Sequence, residues 1–496
     1  MTPYDQYIET LRRIADINFT SAVLGWDQET YMPEGSAATR AQQLSTLAGL
    51  SHQMSTTDEL GKLLEELNKD NSLDEAQKAN VKQTLKDYTK AKKYTTAFVE
   101  EMSKTISESF SAWQSAKAKN DFSLFAPKLK KLVELKRKEC ELLGYKEHPY
   151  DALLDLHEPG LTTKDVEKLF VDVRGQLVPF VKLIAAKPGN SNEILHIHYP
   201  KDKQWEFSIH LLKQMGFDFN IGRQDISVHP FTTSFSSQDV RVTTRIDENN
   251  LSDCVTGTIH EGGHALYEQG LPVSSYGLPS GEAVSLGIHE SQSRLWENNV
   301  GRSLEFWKGQ FAELQKYFPQ QLKNKTTKDL FTALNVVKPN LIRINADELT
   351  YHSHIMIRFE VERAIFSNEL EVENIPAFWN KKYKDYLGLD VPSDSEGCMQ
   401  DVHWSHGSFG YFPTYSLGSF YAAQFFAKAK KDIPELEKEI ENGNFSSLLK
   451  WLRENIHQYG KRFGAKDLCK RVTGEELNFS HFMDYAKEKY GMLYGI

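Results

Sequence analysis

Ten residues carry the most chemistry in this chain: Thr258-Ile259-His260-Glu261-Gly262-Gly263-His264-Ala265-Leu266-Tyr267. Residues four apart on an α-helix lie one turn up on the same face, so His260 and His264 can turn two imidazoles toward one metal ion. This HExxH spacing suits a tetrahedral Zn²⁺, with Glu261 beside it to take a proton from an attacking water. Each Gly costs about 1 kcal/mol inside a helix. The Gly262-Gly263 pair therefore needs a reason, and close approach of a neighbouring backbone would supply one.

Two imidazoles do not complete a catalytic site, which takes three protein ligands and keeps one position open. The motif does not continue as HExxHxxGxxH, because Tyr267 and Gly270 stand at the Gly and last His places. A carboxylate from a later segment is expected, and the candidates are Glu268, Glu282, Glu290 and Glu297. Glu268 lies one turn past His264 and would string the ligands along one axis. Glu282 follows the turn signal Pro279-Ser280-Gly281 and could simply cap a helix start. Glu290 sits in a helix-like segment, Gly287 to Trp296, that could cross the first. Spacing favours it only weakly over Glu297.

The chain has 496 residues and a net charge of −9, with acids and bases intermixed. That balance argues against a nucleic-acid surface, which needs a clustered basic excess. Cys140, Cys254, Cys398 and Cys469 are scattered without CxxC spacing and read as reduced thiols of a cytoplasmic protein. The start, Met1-Thr2-Pro3-Tyr4-Asp5-Gln6, lacks a basic and apolar leader. No apolar run approaches the roughly 20 residues that span a bilayer, so no membrane partner is expected.

Helical periodicity must position the motif. Thr2 and Pro3 read as an N-cap and first helical residue of a helix running towards Met32-Pro33. Val166, Leu169, Phe170, Val173 and Leu177 recur at helical spacing after Thr162. Leu73 to Lys119 is highly charged and predicts long helices with solvated faces. From Ile433 on, short helices are expected to end at Gly443, Gly460 and Gly474. Strand pattern is rare. Asp239 to Thr244 alternates, with Asp239, Arg241 and Thr243 on one face and Val240 and Val242 on the other. Ile194 to Tyr199 is a second strand candidate. Its His196 and His198 lack an accompanying carboxylate or Cys, which counts against a second metal site. No linker or repeat divides the chain, so residues 1–496 read as a single, mainly α domain with a small β-sheet beside the metal site.

Several further motifs carry a resemblance over nearly the whole chain. They are Asp239-Val-Arg241-Val-Thr243, His289-Glu290-Ser291-Gln292, Ile342-Arg343-Ile-Asn-Ala346-Asp347 and Gly397-Cys-Met-Gln400-Asp401-Val-His403-Trp404. Trp26 to Pro33 and His229-Pro230-Phe231 add to them. Together with HEGGH, in this order, they resemble the carboxypeptidase Taq family of HEXXH zinc metallocarboxypeptidases. The resemblance implies Glu290 as the third ligand, zinc or cobalt as the metal, and a homodimer. It implies a neurolysin-like peptidase fold with a deep central groove, and broad removal of single residues from peptide C-termini.

A carboxypeptidase must recognise a free α-carboxylate, and a guanidinium is its natural bidentate partner. Arg343 is the first choice; placed on a helix, it would instead pair with Asp347 one turn on. Arg241 is the second, although Asp239 shares its strand face. His403, or a phenol from Tyr411 or Tyr415, could bond the oxyanion or the substrate carbonyl. The alternatives are a buried structural histidine and an ordered Gly-rich loop. A metal-dependent endopeptidase or dipeptidase on the same scaffold, and a metal-stabilised binding protein without turnover, are the competing functions. Glu261 argues against the last, since a structural site needs no base.

Overall fold

The computed structural model describes residues 1–496, which divide into two compact units. The first comprises Met1–Ala91, Asn190–Leu334 and Tyr421–Asn478; the second comprises Lys92–Gly189, Asn335–Phe420 and Phe479–Ile496. Helices dominate both, and a single small sheet lies in the first. The mainly α reading holds.

The first unit opens with α1 (Pro3–Thr30), whose start is set locally. The Thr2 hydroxyl accepts the Asp5 N–H while the Asp5 carboxylate accepts the Thr2 N–H, a capping box with Pro at the first helical position. Its buried Tyr7, Leu11 and Ile14 pack with Leu60, Leu64, Leu67, Val81 and Leu278. The sheet follows as β1 (Gly222–Ile226), β2 (Thr232–Ser236) and β3 (Asp239–Thr244), in the order β1-β3-β2. β3 is central, parallel to β1 and antiparallel to β2. Val240 and Val242 are buried as the alternation predicts. β1 and β2 were not legible, because Gly-Arg-Gln-Asp-Ile and Thr-Thr-Ser-Phe-Ser lack an apolar face.

Ile194–Tyr199 is not a strand. Glu193–Leu195 is a 3₁₀ turn, and the Tyr199 hydroxyl bonds back to the Ile194 carbonyl at 2.6 Å, so the segment curls instead of extending. His196 and His198 belong to no metal-ligating group.

The sheet lies on α3 (Leu251–Glu268), which also packs against α2 (Lys201–Met215) and α4 (Leu286–Arg294). Here the glycine pair finds its reason. A Cβ on Gly263 would lie 2.7 Å from the Gln292 carbonyl oxygen and 2.7 Å from Ser293 Cα, both backbone atoms of α4. A Cβ on Gly262 would meet Leu212 Cδ2 at 2.8 Å and Met215 Cε at 3.0 Å, side-chain ends on α2. α4 runs on into a π-helical turn, Leu295–Gly301, every residue of which is buried.

In the second unit, helix Thr163–Ala185 buries Val166, Phe170, Val173 and Leu177 as the periodicity predicts. α5 (Tyr351–Phe366) is buried on nearly all sides. α6 (Pro413–Asp432) begins in this unit. Of the charged stretch, helix Glu75–Ala91 lies in the first unit and helix Thr96–Lys119 in the second, each with few buried residues. Near the C-terminus, Gly443 and Gly474 follow helix ends with φ of 70° and 91°. Gly460 does not. Helix Ser446–Asn455 stops five residues earlier, and Gly460 turns at φ 48° against the Ser280 carbonyl, which a Cβ would overlap.

Gly263→Ala should destabilise the fold by about 1–3 kcal/mol, since two helix backbones must separate. Gly262→Ala should cost less, because flexible side-chain ends can yield and Ala regains about 1 kcal/mol of helix propensity. Thermal unfolding of the two variants measures the difference; equal shifts would contradict the backbone contact.

Candidate active site

α3 and α4 bring His260, His264 and Glu290 together, with their donor atoms within 4.8 Å of one another. Both imidazoles point Nε2 at the same carboxylate oxygen: His260 Nε2 lies 3.7 Å and His264 Nε2 3.4 Å from Glu290 Oε2. Both Nδ1 atoms turn away to other partners. His260 Nδ1 meets Glu297 Oε2 at 2.8 Å, and His264 Nδ1 meets His289 Nδ1 at 2.5 Å. Two nitrogens and one carboxylate oxygen, each backed by an outer partner, fit a divalent ion with an open position. The charges fit as well. Glu261, Glu290 and Glu297 are buried around the two imidazoles, with Arg294 bonded to Glu290 and Glu297 and Arg302 to Glu297, an acidic setting that suits a cation.

Of the other carboxylates considered for the third position, Glu268 bonds His289 Nε2 at 2.8 Å and the Ser234 hydroxyl at 2.7 Å. Glu282 pairs with Lys461 at 2.5 Å. Glu297 is no bystander, since it holds His260 and accepts from Arg294 and Arg302. Arg294 Nε reaches Glu290 Oε1 at 2.6 Å. Burial would keep Glu290 neutral, but Arg294 and the two imidazoles carry its pKa well below the usual range. The i, i+4 spacing of Glu290 and Arg294 was legible in the sequence; the His260–Glu297 bond across 37 positions was not.

Glu261 is buried beside this group, and its Oε2 accepts the Thr232 hydroxyl of β2 at 2.8 Å. Burial raises its pKa, with His260 and the Thr232 bond acting against the rise. A carboxylate moved toward neutrality is better suited to accept and return a proton. Thr232 and Ser234 were missed because nothing in a Thr/Ser strand marks its hydroxyls as partners of helix carboxylates.

Arg241 on β3 bonds Asp239 at 3.1 Å and stacks on Trp26 and Phe235, 4.3 and 4.7 Å from the ring centroids. The Trp26 to Pro33 segment is held further by Tyr31, which donates to Asp225 at 2.5 Å.

The second unit gathers the remaining motif residues. Arg343 is not on a helix beside Asp347; it stands in the 3₁₀ turn Arg343–Asn345. Asp347 instead accepts the N–H groups of Leu349 and Thr350 just before α5. Arg343 reaches Asp401 through Nη2 at 2.9 Å and Tyr351 through Nη1 at 3.0 Å. Arg358 takes the other Asp401 oxygen at 2.6 Å and Gln400 at 2.8 Å. Two buried guanidiniums against one carboxylate leave an excess positive charge. Asp401 is held far below the usual carboxylate range by these arginines, against the cost of burial.

His403 Nε2 lies 3.3 Å from the Tyr415 hydroxyl, and its Nδ1 is buried without a partner. Burial lowers its pKa to about 4, so the ring is neutral at pH 7. Tyr415 stands in the first turn of α6 and not in a loop, with Arg343 stacked 5.1 Å from its ring. The Gly-rich stretch is anchored by Glu362, which accepts from Tyr150 at 2.5 Å and from Trp404 Nε1 and Gly410 N–H at 2.8 Å each.

Over residues 6–490 the chain matches the sequence profile of the carboxypeptidase Taq (M32) metallopeptidases. It is 42% identical to Carboxypeptidase 1 of Bacillus subtilis (strain 168), covering 99% of this chain and 98% of that protein. It is 40% identical to Thermostable carboxypeptidase 1 of Thermus thermophilus over 100% of both. The crystal structure of an M32 carboxypeptidase from Deinococcus radiodurans R1 matches with a TM-score of 0.98 at 39% identity, covering 100% of both chains. The chain belongs to the carboxypeptidase Taq (M32) family and is a metallocarboxypeptidase. No helix is long and apolar enough to cross a membrane.

Glu290→Ala should leave well below one equivalent of metal per chain after dialysis, because one of three protein donors is lost. Glu297→Ala should weaken binding about 10–100-fold through His260, and Glu282→Ala should do nothing. Elemental analysis orders the three; full occupancy in the Glu290 variant would remove it from the ligand set.

Proposed function

We propose that this chain, working as one metallocarboxypeptidase domain over residues 1–496, removes single amino acids from the free C-terminus of peptides with broad tolerance. The observation that carries this reading is the convergence of His260, His264 and Glu290 beside Glu261. His260, His264 and Glu290 would hold zinc, with cobalt as the substitute their nitrogen and oxygen donors also suit. When bound, the ion supplies Lewis acidity at the scissile carbonyl.

Glu261 takes the proton of the attacking water and returns it to the leaving amine, and the Thr232 hydroxyl holds its carboxylate in place. Neutral His403 and the Tyr415 phenol serve as hydrogen-bond partners of the oxyanion or substrate carbonyl, not as charges. Arg343 supplies the anchor for the terminal carboxylate. The net positive charge of the Arg343–Asp401–Arg358 group supports it, while Arg241 is committed to Asp239 and Trp26. We place the enzyme in the cytoplasm as a homodimer. Four buried cysteines, all unpaired, support a reducing compartment, and the family resemblance supports the dimer.

Glu261→Gln should keep the fold and bound metal while kcat falls by about 10²–10⁴, the usual worth of a positioned acid–base group. Near-normal turnover at full metal occupancy would exclude Glu261 from the chemistry.

Arg343→Ala should lose a charge-assisted pair worth about 1.5–3 kcal/mol on peptides with a free C-terminus. Little further loss is expected on the C-terminally amidated peptide, which wild type also cleaves slowly. A cycle of kcat/KM over two enzymes and two substrates isolates this pair, with unfolding of Arg343→Ala followed separately because Asp401 loses a partner. Equal losses on both substrates would make Arg343 structural. Rapid cleavage of the amidated peptide by wild type would point to an endopeptidase.

A further inference from the structure

We propose that His289 and Glu268 are positioning residues that lock His264 in the tautomer that can bind metal. The inference rests on the reading of His264 as a ligand. His264 turns Nε2 toward Glu290, and its Nδ1 lies 2.5 Å from Nδ1 of His289. A nitrogen that gives its lone pair to a metal carries no proton, so the His264 proton sits on Nδ1. His289 Nδ1 then accepts that bond, and a neutral His289 must carry its own proton on Nε2. That atom lies 2.8 Å from Glu268 Oε1, an acceptor. Glu268 Oε2 is fixed in turn by the Ser234 hydroxyl at 2.7 Å, on β2. Every donor in the line from strand to ligand has one acceptor, and no proton is left over.

The arrangement differs from that at His260, whose Nδ1 meets the carboxylate of Glu297 directly. At His264 an imidazole is interposed between ligand and carboxylate. Its ring is braced 5.3 Å from Tyr267, and its side chain remains 22% exposed, so it is not required as core filling. What it supplies is a correctly oriented acceptor for the ligand.

The test is zinc and cobalt affinity, measured by chelator competition at fixed pH, with thermal unfolding of each metal-free variant as the folding control. His289→Phe keeps the ring but has no acceptor, and should bind about 10–100-fold more weakly. His289→Asn restores an acceptor near the Nδ1 position and should recover most of that loss. Glu268→Gln keeps an acceptor for His289 and should stay near wild type, whereas Glu268→Ala should fall with His289→Phe.

Wild-type affinity in a folded His289→Phe variant, or no recovery in His289→Asn, overturns the proposal. Should His289→Phe fail to fold, ¹⁵N-histidine NMR of the zinc-loaded wild-type protein decides instead. A proton on His289 Nε2 with a bare Nδ1 supports the lock, and the reverse tautomer overturns it. His264→Ala separates the two readings. If that variant binds metal like wild type, the ligand assignment falls, whereas its failure to bind beside an unimpaired His289→Phe removes only the lock.

Discussion

Two helix backbones touch at Gly263, and the metal-binding geometry depends on that contact. With no side chain at this position, α4 lies directly against α3, its Gln292 carbonyl and Ser293 Cα filling the space a Cβ would take. Glu290, half a turn earlier on α4, is thereby carried up to both imidazoles. Arg294, one turn later, reaches back to Glu290 and to Glu297. α3 is also held by β2. Thr232 and Ser234, two apart on one strand face, meet Glu261 and Glu268, two turns apart on one helix face. A helix period and a strand period thus coincide at Glu261 and Glu268.

Two local groups of buried charged residues, one in each unit, are unbalanced in opposite senses. Around His260 and His264, buried carboxylates outnumber arginines; around Asp401, arginines outnumber carboxylates. Uncompensated buried charge is expensive and is retained where a ligand neutralises it. A metallocarboxypeptidase must bind two charged species, a divalent cation and a peptide's terminal carboxylate, and the roles proposed for the two groups answer to them.

What the sequence made legible was local. The capping box at Thr2, the alternation of β3 and the HExxH helix each depend on neighbours within one or two turns, so residue types and spacing suffice. The third member of the His260–His264–Glu290 group was not local. Four glutamates were open on spacing, because the contact that selects Glu290 is a glycine touching a distant backbone. The Asp401 partner of Arg343 was hidden for a similar reason, and the alternative pairing with Asp347 is not formed. Lys338-Pro339-Asn340 breaks the chain ahead of Arg343, the following residues form a 3₁₀ turn, and the partner is Asp401, 58 positions away. β1 and β2 hid because their side chains are chosen to hydrogen-bond, not to alternate in hydropathy.

Glu362 links the anchoring of the Gly-rich stretch to proton uptake. Its carboxyl is fully enclosed, and burial lifts its pKa from 4.5 to about 7 although Tyr150, Gly410 and Trp404 all donate to it. Forming the folded state therefore draws a proton onto this group in the window between those two values. Its contribution to stability is complete below about pH 4.5 and is lost as the pH rises through about 7. The segment that carries His403 is thus tied down, through Trp404 and Gly410, by a carboxyl that burial moves toward the neutral range.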